Sequence, residues 1–150
     1  MEVNDITLLS FQIQEDNFAV DAMQVIHILE FAANKLTEVP NTPEYMIGVI
    51  NLHGNIIPVV DMRIIMEKEE LSTGTDASII VLEPLDQQDA TIGFLVDMVK
   101  EVIQTKRDQL SETVLEGKKG MIDSYEGTLV YNKEFIHVID IKNLIEVIEK

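Results

Sequence analysis

The sequence predicts a mainly β protein of two similar lobes, each an antiparallel β-barrel of about five strands, around a shared hydrophobic core. Short apolar segments separated by turn signals occupy most of the chain, and only a few short segments have helical periodicity. One strand pattern also occurs twice, which indicates two related units. A C-terminal helix over residues 141–149 completes the predicted fold.

The first hairpin is predicted near the start of the chain. Leu9, Phe11 and Ile13 alternate with polar residues, which is the period of a half-buried strand. Polar residues at 15–17 then turn the chain into a second apolar segment at 18–21.

The clearest hairpin signal is Gly54-Asn55, which separates the apolar segments 48–52 and 56–60. Pro58 has no N–H to donate, so its strand is expected at a sheet edge or beside a bulge. The same reasoning predicts hairpins that join 78–83 to 91–96 and 128–131 to 135–139.

Few segments have the periodicity of a helix. At the end of the chain, apolar residues recur on one helical face, at Ile141, Leu144, Ile145 and Ile148. This pattern predicts the amphipathic C-terminal helix. A second helix is predicted from Met62 to about Glu70, a short helical turn around 42–45, and a mostly irregular segment at 105–119.

The repeat organises the chain into two lobes. Residues 55–65 match residues 134–144 without a gap, and the segments 18–21 and 94–97 precede the two copies. Gly48 and Gly120 begin the segments between the paired units. We therefore predict a single domain over residues 1–150, with lobe one at about 17–76 and lobe two at about 6–16 plus 77–140.

Composition excludes several classes of function. The net charge is −16, from 27 acidic and 11 basic residues, so nucleic-acid and membrane-surface binding are not expected. The chain has no cysteine, which excludes disulfides, thiolate catalysis and cysteine-based zinc sites. The acidic N-terminus and the lack of a long apolar run favour a cytoplasmic protein without membrane insertion.

Carboxylates are the first candidates for catalysis. An aspartate follows an apolar triplet at each of four positions, Asp21, Asp61, Asp97 and Asp140. Each is expected where a strand gives way to a helical turn, so capping of free backbone N–H groups is the favoured role. Phosphate-binding loops and nucleophile motifs do not occur in the sequence. The sequence thus predicts a protein that is not an enzyme and carries no cofactor.

Histidines are the remaining candidates. His137 is expected to be a half-exposed residue of a strand. A metal site built from His27, His53 and a carboxylate is an alternative, because imidazole binds zinc, copper and nickel. Neither histidine has the spacing of a metal-ligand motif, so no metal is predicted.

Several blocks of sequence occur in the order and spacing of a known family. They are Phe18-Ala19-Val20-Asp21 followed by Val25, then Pro40 and Pro43, residues 48–63 (GVINLHGNIIPVVDMR) and residues 93–102 (GFLVDMVKEV). On these residues the chain resembles the bacterial chemotaxis coupling proteins, the family of CheW-like domains. The resemblance extends from about residue 7 to 148, and its extent favours a free-standing coupling protein over a kinase that contains such a domain.

The resemblance implies two five-stranded barrels and a non-enzymatic adaptor. The family couples the cytoplasmic tips of chemoreceptors, the methyl-accepting chemotaxis proteins, to the histidine kinase CheA in membrane-associated arrays. A helical hairpin of the receptor is expected in the groove between the lobes, and the kinase's regulatory domain is expected to contact the first lobe. The family positions around the groove correspond here to Val25, His27, Gly48, Asn51, His53, Gly54, Val96 and Val99.

Two of these positions depart from the family pattern. The family usually has Glu at the position of His27 and Arg at that of His53, and imidazole lacks the permanent forked charge of Arg. The exchange indicates a different receptor partner or a chemosensory system that serves a pilus, gliding or gene regulation. A His-based metal-binding β-barrel and a protein without a signalling partner are the other interpretations.

Overall fold

The structure is a computed structural model that describes residues 4–31, 35–68, 76–85, 90–113, 120–122 and 124–149. Its strands are β1 (Asp5–Ile13), β2 (Asp16–Asp21), β3 (Val25–Glu30), β4 (Met46–Leu52), β5 (Asn55–Asp61), β6 (Ser78–Leu82), β7 (Ile92–Val96), β8 (Met98–Lys106), β9 (Tyr125–Tyr131) and β10 (Glu134–Ile139). The described helices are α1 (Met62–Ile65), α2 (Ile141–Glu149) and the 3-10 turns Ala22–Gln24 and Arg107–Gln109.

The strands form two five-stranded sheets. The terminal sheet has the order β8-β1-β2-β10-β9, and the central sheet has the order β3-β6-β7-β5-β4. The predicted mainly β class, with two five-stranded units and a C-terminal helix, is confirmed. Each sheet contains one parallel pair, β2–β10 or β5–β7, where the sequence predicted purely antiparallel barrels. Each of these pairs joins strands that are far apart in the chain, so no local turn signal predicts the pairing.

The four hairpins predicted from turn signals are all present. They pair Phe11 with Phe18, Ile50 with Ile57, Ile80 with Phe94, and Leu129 with Ile136. Pro58 lies in β5, which has a neighbour on each side, but the parallel ladder with β7 begins only at Val59. The proline therefore lies just before the doubly paired part of its strand.

The sheets divide the chain differently from the predicted lobes. Strand β2 falls within the predicted lobe one (17–76) but pairs with β1 in the terminal sheet. Strands β6 and β7 fall within the predicted lobe two (6–16 plus 77–140) but belong to the central sheet. The tight turn at Gln14, whose φ is +53°, keeps β2 beside β1, and the parallel ladder with β5 keeps β7 in the central sheet.

The two sheets share one hydrophobic core, as the sequence predicted. Phe11 of β1 contacts Phe94 of β7 with ring centres 5.5 Å apart, and both side chains are fully buried. Leu144 and Ile145 of α2 pack into the same core. Each sheet also covers a smaller cluster of its own, which explains why β6 is apolar on both faces.

The structure differs from two of the predicted helical segments and from the predicted irregular segment. Helix α1 ends at Ile65, before the predicted Glu70, and Glu67 already has a φ of +57°. Residues 69–70 lie outside the described part of the chain. The segment 42–45 forms a turn closed by a hydrogen bond from Met46 N–H to the Pro43 carbonyl. Residues 105–106 belong to β8, which the sequence did not reveal because most of its side chains are exposed and its apolar residues do not alternate with polar ones. Residues 114–119 are not described.

Capping is the role of three of the four aspartates. Asp21, Asp61 and Asp140 accept hydrogen bonds from backbone N–H groups at the start of a helical turn. Asp97 instead accepts one from Gln14 N–H across the sheet, and β8 follows it directly. None of the helices among the described residues has the length and apolar character needed to cross a bilayer.

The pH dependence of stability is expected to include a contribution from His137. Its Nδ1 shares a hydrogen bond of 2.9 Å with Thr128, and its ring packs against Phe18 and Tyr125. Burial lowers the pKa of His137, and the charge of Asp16 opposes this only in part. In the unfolded chain a histidine has a pKa of about 6.5, so the unfolded state binds the proton first on acidification.

The free energy of unfolding is therefore expected to fall as the pH drops through about 6.5. It should level off once the pH is below the pKa that His137 has in the folded state. Urea unfolding at pH 7.5 and 5.5 measures the change. The variant His137→Gln should lose less stability on acidification than the unchanged chain. An equal loss in both proteins would show that His137 makes no such contribution.

Candidate docking cleft

A cleft of about 590 Å³ opens between the central sheet and the C-terminal helix. Its walls are β3, the β4–β5 hairpin, the start of β7 and helix α2. Apolar side chains dominate the lining, namely Ile26, Leu52, Ile56, Ile57, Pro58, Ala90, Ile92, Ile145 and Ile148. Its polar lining residues are His27, His53, Asn55, Glu83 and Thr91, with neither Lys nor Arg among the described residues that form the walls.

The tip of the β4–β5 hairpin explains why a histidine is accommodated there. His53 and Gly54 have φ values of +53° and +86°, the left-handed conformation that a two-residue type I′ turn requires. Histidine is among the residues enriched several-fold at positive φ. The side chain of Asn51 accepts a hydrogen bond of 2.9 Å from Gly54 N–H and closes the turn. The turn therefore projects His53 toward the cleft.

Two predicted site residues, His27 and His53, meet at this cleft. His27 lies on β3, and its ring centre is 5.5 Å from that of His53 at an interplanar angle of 46°. Both side chains are exposed. The hairpin turn and β3, which are far apart in sequence, thus present two imidazoles side by side.

The other six predicted residues have different surroundings. Asn51 and Gly54 belong to the turn that carries His53. Val25 and Val99 are half-buried against the shared core. Gly48 and Val96 are buried, Gly48 beneath residues 36–37 and Val96 in the shared core.

The cleft also contains residues that the sequence did not single out. Ile56 is 63% exposed on β5, and Ile148 lies on the apolar face of α2. The amphipathic pattern of α2 signalled an apolar face without showing that part of it lines a cleft. An isoleucine next to a turn carries no signal, because single exposed apolar residues are common on protein surfaces.

Within the described part of the chain, no group of three or more His, Cys, Asp or Glu side chains lies close enough together to hold a metal ion. The alternative of a site made from His27, His53 and a carboxylate therefore lacks its third ligand there. The two imidazoles remain as a pair.

Replacement of Gly48 tests its packing role. A Cβ atom at Gly48 would lie 2.5 Å from the Thr37 carbonyl oxygen and 2.9 Å from Leu36 Cγ. Gly48→Ala is therefore expected to lower the free energy of unfolding by about 2–3 kcal/mol.

The matched control is Gly54→Ala, since a Cβ there has open space within 4 Å and meets only the strain of its positive φ. Its expected cost is about 1–2 kcal/mol in urea unfolding. A smaller effect at Gly48 than at Gly54 would contradict the close approach of β4 to Thr37.

Comparison with known proteins gives consistent matches over the whole fold. A family model described as CheW-like domain matches residues 7–149. The chemotaxis protein CheW of Thermotoga maritima is 31% identical over 148 residues, which cover 96% of this chain and 90% of that protein. Its counterpart in Bacillus subtilis is 28% identical over 134 residues, 89% of this chain and 82% of that protein.

A solved structure gives the same result. The crystal structure of the scaffolding protein TtCheW from Thermoanaerobacter tengcongensis superposes with a TM-score of 0.78 at 27% identity. The match covers 90% of this chain and 88% of that one. The resemblance predicted from the sequence blocks is confirmed.

Proposed function

The chain belongs to the family of CheW-like domains, and from that premise we propose that it is a non-enzymatic chemotaxis adaptor. It couples the cytoplasmic tips of chemoreceptors to the histidine kinase CheA and works by binding alone. Its place is in the cytoplasm, at the receptor arrays. The family match over residues 7–149 is the observation that carries this proposal.

The cleft supports the receptor-binding part of the proposal. A groove that is walled by a sheet and a helix and lined mainly by apolar residues suits the apolar face of an amphipathic partner helix. The lining residues Ile56, Ile145 and Ile148 offer such a surface, with His27 and His53 at its polar side. Buried apolar contact supplies affinity in this arrangement, and polar groups at the rim select the partner.

The histidine pair distinguishes the proposed receptor site of this chain from the usual pattern of the family. Where the family usually places a Glu and an Arg, this cleft presents two exposed imidazoles. A receptor that matches it would carry groups that pair with imidazole, which accepts or donates one hydrogen bond per nitrogen when neutral. This chain is thus expected to prefer its own receptor over receptors that pair with the family's usual Glu and Arg.

A binding measurement with both partners tests the proposal. The purified chain is titrated with a soluble receptor tip from the same organism and, separately, with the regulatory domain of its CheA. Micromolar binding to each is expected, as for other transient signalling complexes. A coupling protein of known activity with its own partners serves as the positive control. If that control binds while this chain binds neither partner, the adaptor proposal is overturned.

A further inference from the structure

We propose that His27 and His53 form a two-imidazole site for a divalent transition-metal ion of the zinc, nickel and copper class. The site lies on the wall of the cleft, and it requires no partner protein. The inference therefore stands independently of the adaptor proposal.

The separation of the rings carries the inference. With metal–nitrogen bonds of about 2.0–2.1 Å, two imidazoles on one tetrahedral ion have ring centres about 5 Å apart. The ring centres of His27 and His53 are 5.5 Å apart. Their interplanar angle of 46° excludes a parallel stack, so the rings do not face each other as a flat pair.

Both rings are also available for coordination. His27 and His53 are exposed. Within the described part of the chain, the only aromatic ring that either imidazole contacts is the other one. The χ2 torsion of histidine is broad and roughly twofold. Rotation about it can therefore turn one nitrogen of each ring toward a common point without a change in the backbone.

The backbone holds the two ligands in place. His27 lies on β3, which is paired with β6, and His53 lies in a type I′ turn closed by Asn51. An ion bound by both would tie β3 to the β4–β5 hairpin. Sites placed on regular elements keep their ligands more precisely than sites on long loops.

The chain supplies two ligands, so the remaining coordination positions are open. Water fills them in the free protein, as in zinc sites that keep an open position. The affinity of nitrogen ligands such as imidazole increases from Ni²⁺ to Cu²⁺, and Zn²⁺ binds less tightly than Cu²⁺. The ion is thus expected to bind reversibly, with copper bound most tightly.

The first measurement is a calorimetric titration of the tag-free full chain with CuCl₂, NiCl₂ and ZnCl₂ at pH 7.5. One ion per chain is expected. Loss of a residue that only hydrogen-bonds to a metal ligand already lowers metal affinity by about 10–100-fold. Loss of a ligand itself, in His27→Gln or His53→Asn, should therefore weaken binding at least that much. Asn is chosen because it tolerates the positive φ of His53.

The matched control is His137→Gln, which removes the third histidine of the chain; this residue lies on β10 of the terminal sheet and outside the described lining of the cleft. This variant should bind copper and nickel as tightly as the unchanged chain. Absence of binding at millimolar metal would overturn the proposal. Binding that survives either cleft substitution, or that falls equally in His137→Gln, would do the same.

A second measurement locates the ion directly. In the proton NMR spectrum, the ring signals of the three histidines are assigned from the same variants. Substoichiometric Ni²⁺ should broaden the signals of His27 and His53 together and leave that of His137 sharp. Broadening of one cleft histidine alone, or of all three equally, would show that the pair does not share an ion.

Discussion

Asp61→Ala is expected to lower the free energy of unfolding by about 3–5 kcal/mol, because it leaves a buried guanidinium without its main partner. Asp61 and Arg63 are 4% and 3% exposed. The Asp61 carboxylate accepts hydrogen bonds of 3.0 Å from Nε and 2.8 Å from Nη2 of Arg63, and this contact raises the pKa of Arg63. Asp97 lies 3.6 Å from Nη1 and compensates the charge only in part. Urea unfolding measures the loss.

The repeat provides the control for this substitution. Asp140 is the counterpart of Asp61, and it caps α2 through Asn143 N–H, while Lys142, the counterpart of Arg63, is exposed. Asp140→Ala is therefore expected to cost only about 1 kcal/mol, the usual value of an N-cap. The double variant Asp61→Ala/Arg63→Met should recover part of the loss because it also removes the buried charge. Equal losses for Asp61→Ala and Asp140→Ala would contradict this explanation.

Ile56→Glu is expected to weaken binding of a receptor tip by about 30-fold, or about 2 kcal/mol, which is the threshold of an interface hot spot. The substitution places a charge on the apolar wall of the proposed docking cleft. Ile56 is 63% exposed, so the fold should remain within about 0.5 kcal/mol of its stability. Calorimetric titration with the receptor tip measures the affinity.

Phe135→Glu is the matched control. Phe135 occupies the same position in the second copy of the repeat and is 65% exposed, but it lies outside the described lining of the cleft. Receptor-tip affinity should be unchanged in this variant. A comparable loss in both variants, or no loss in Ile56→Glu, would exclude the cleft as the receptor site while leaving the family membership intact.

Much of the fold could be predicted because its signals are local. Alternation of apolar and polar residues marked β1, and Gly54 set the turn between β4 and β5 by its conformational freedom. The 3.6-residue periodicity marked α2 with the observed bounds, residues 141–149. Strand β8 escaped prediction because most of its side chains are exposed, and its apolar residues fall in adjacent pairs instead of alternating with polar ones.

The candidate site was predictable only in part. The family resemblance drew attention to His27 and His53, and they do lie side by side. It also drew attention to Gly48 and Val96, which are buried. Whether a motif residue is structural or exposed depends on what packs against it, and a motif does not contain that information.

The sequence by itself determined most of the strand segments, their hairpin turns, three capping aspartates and the amphipathic C-terminal helix, because each depends on residues within a few positions of one another. Only the tertiary structure decided which strands share a sheet. It also decided that β2 pairs with β10, and β7 with β5, in parallel ladders, and that α2 forms a wall of the cleft beside the histidine pair. These features depend on contacts between segments far apart in the chain, whose free energy comes from packing and is not written in any local pattern.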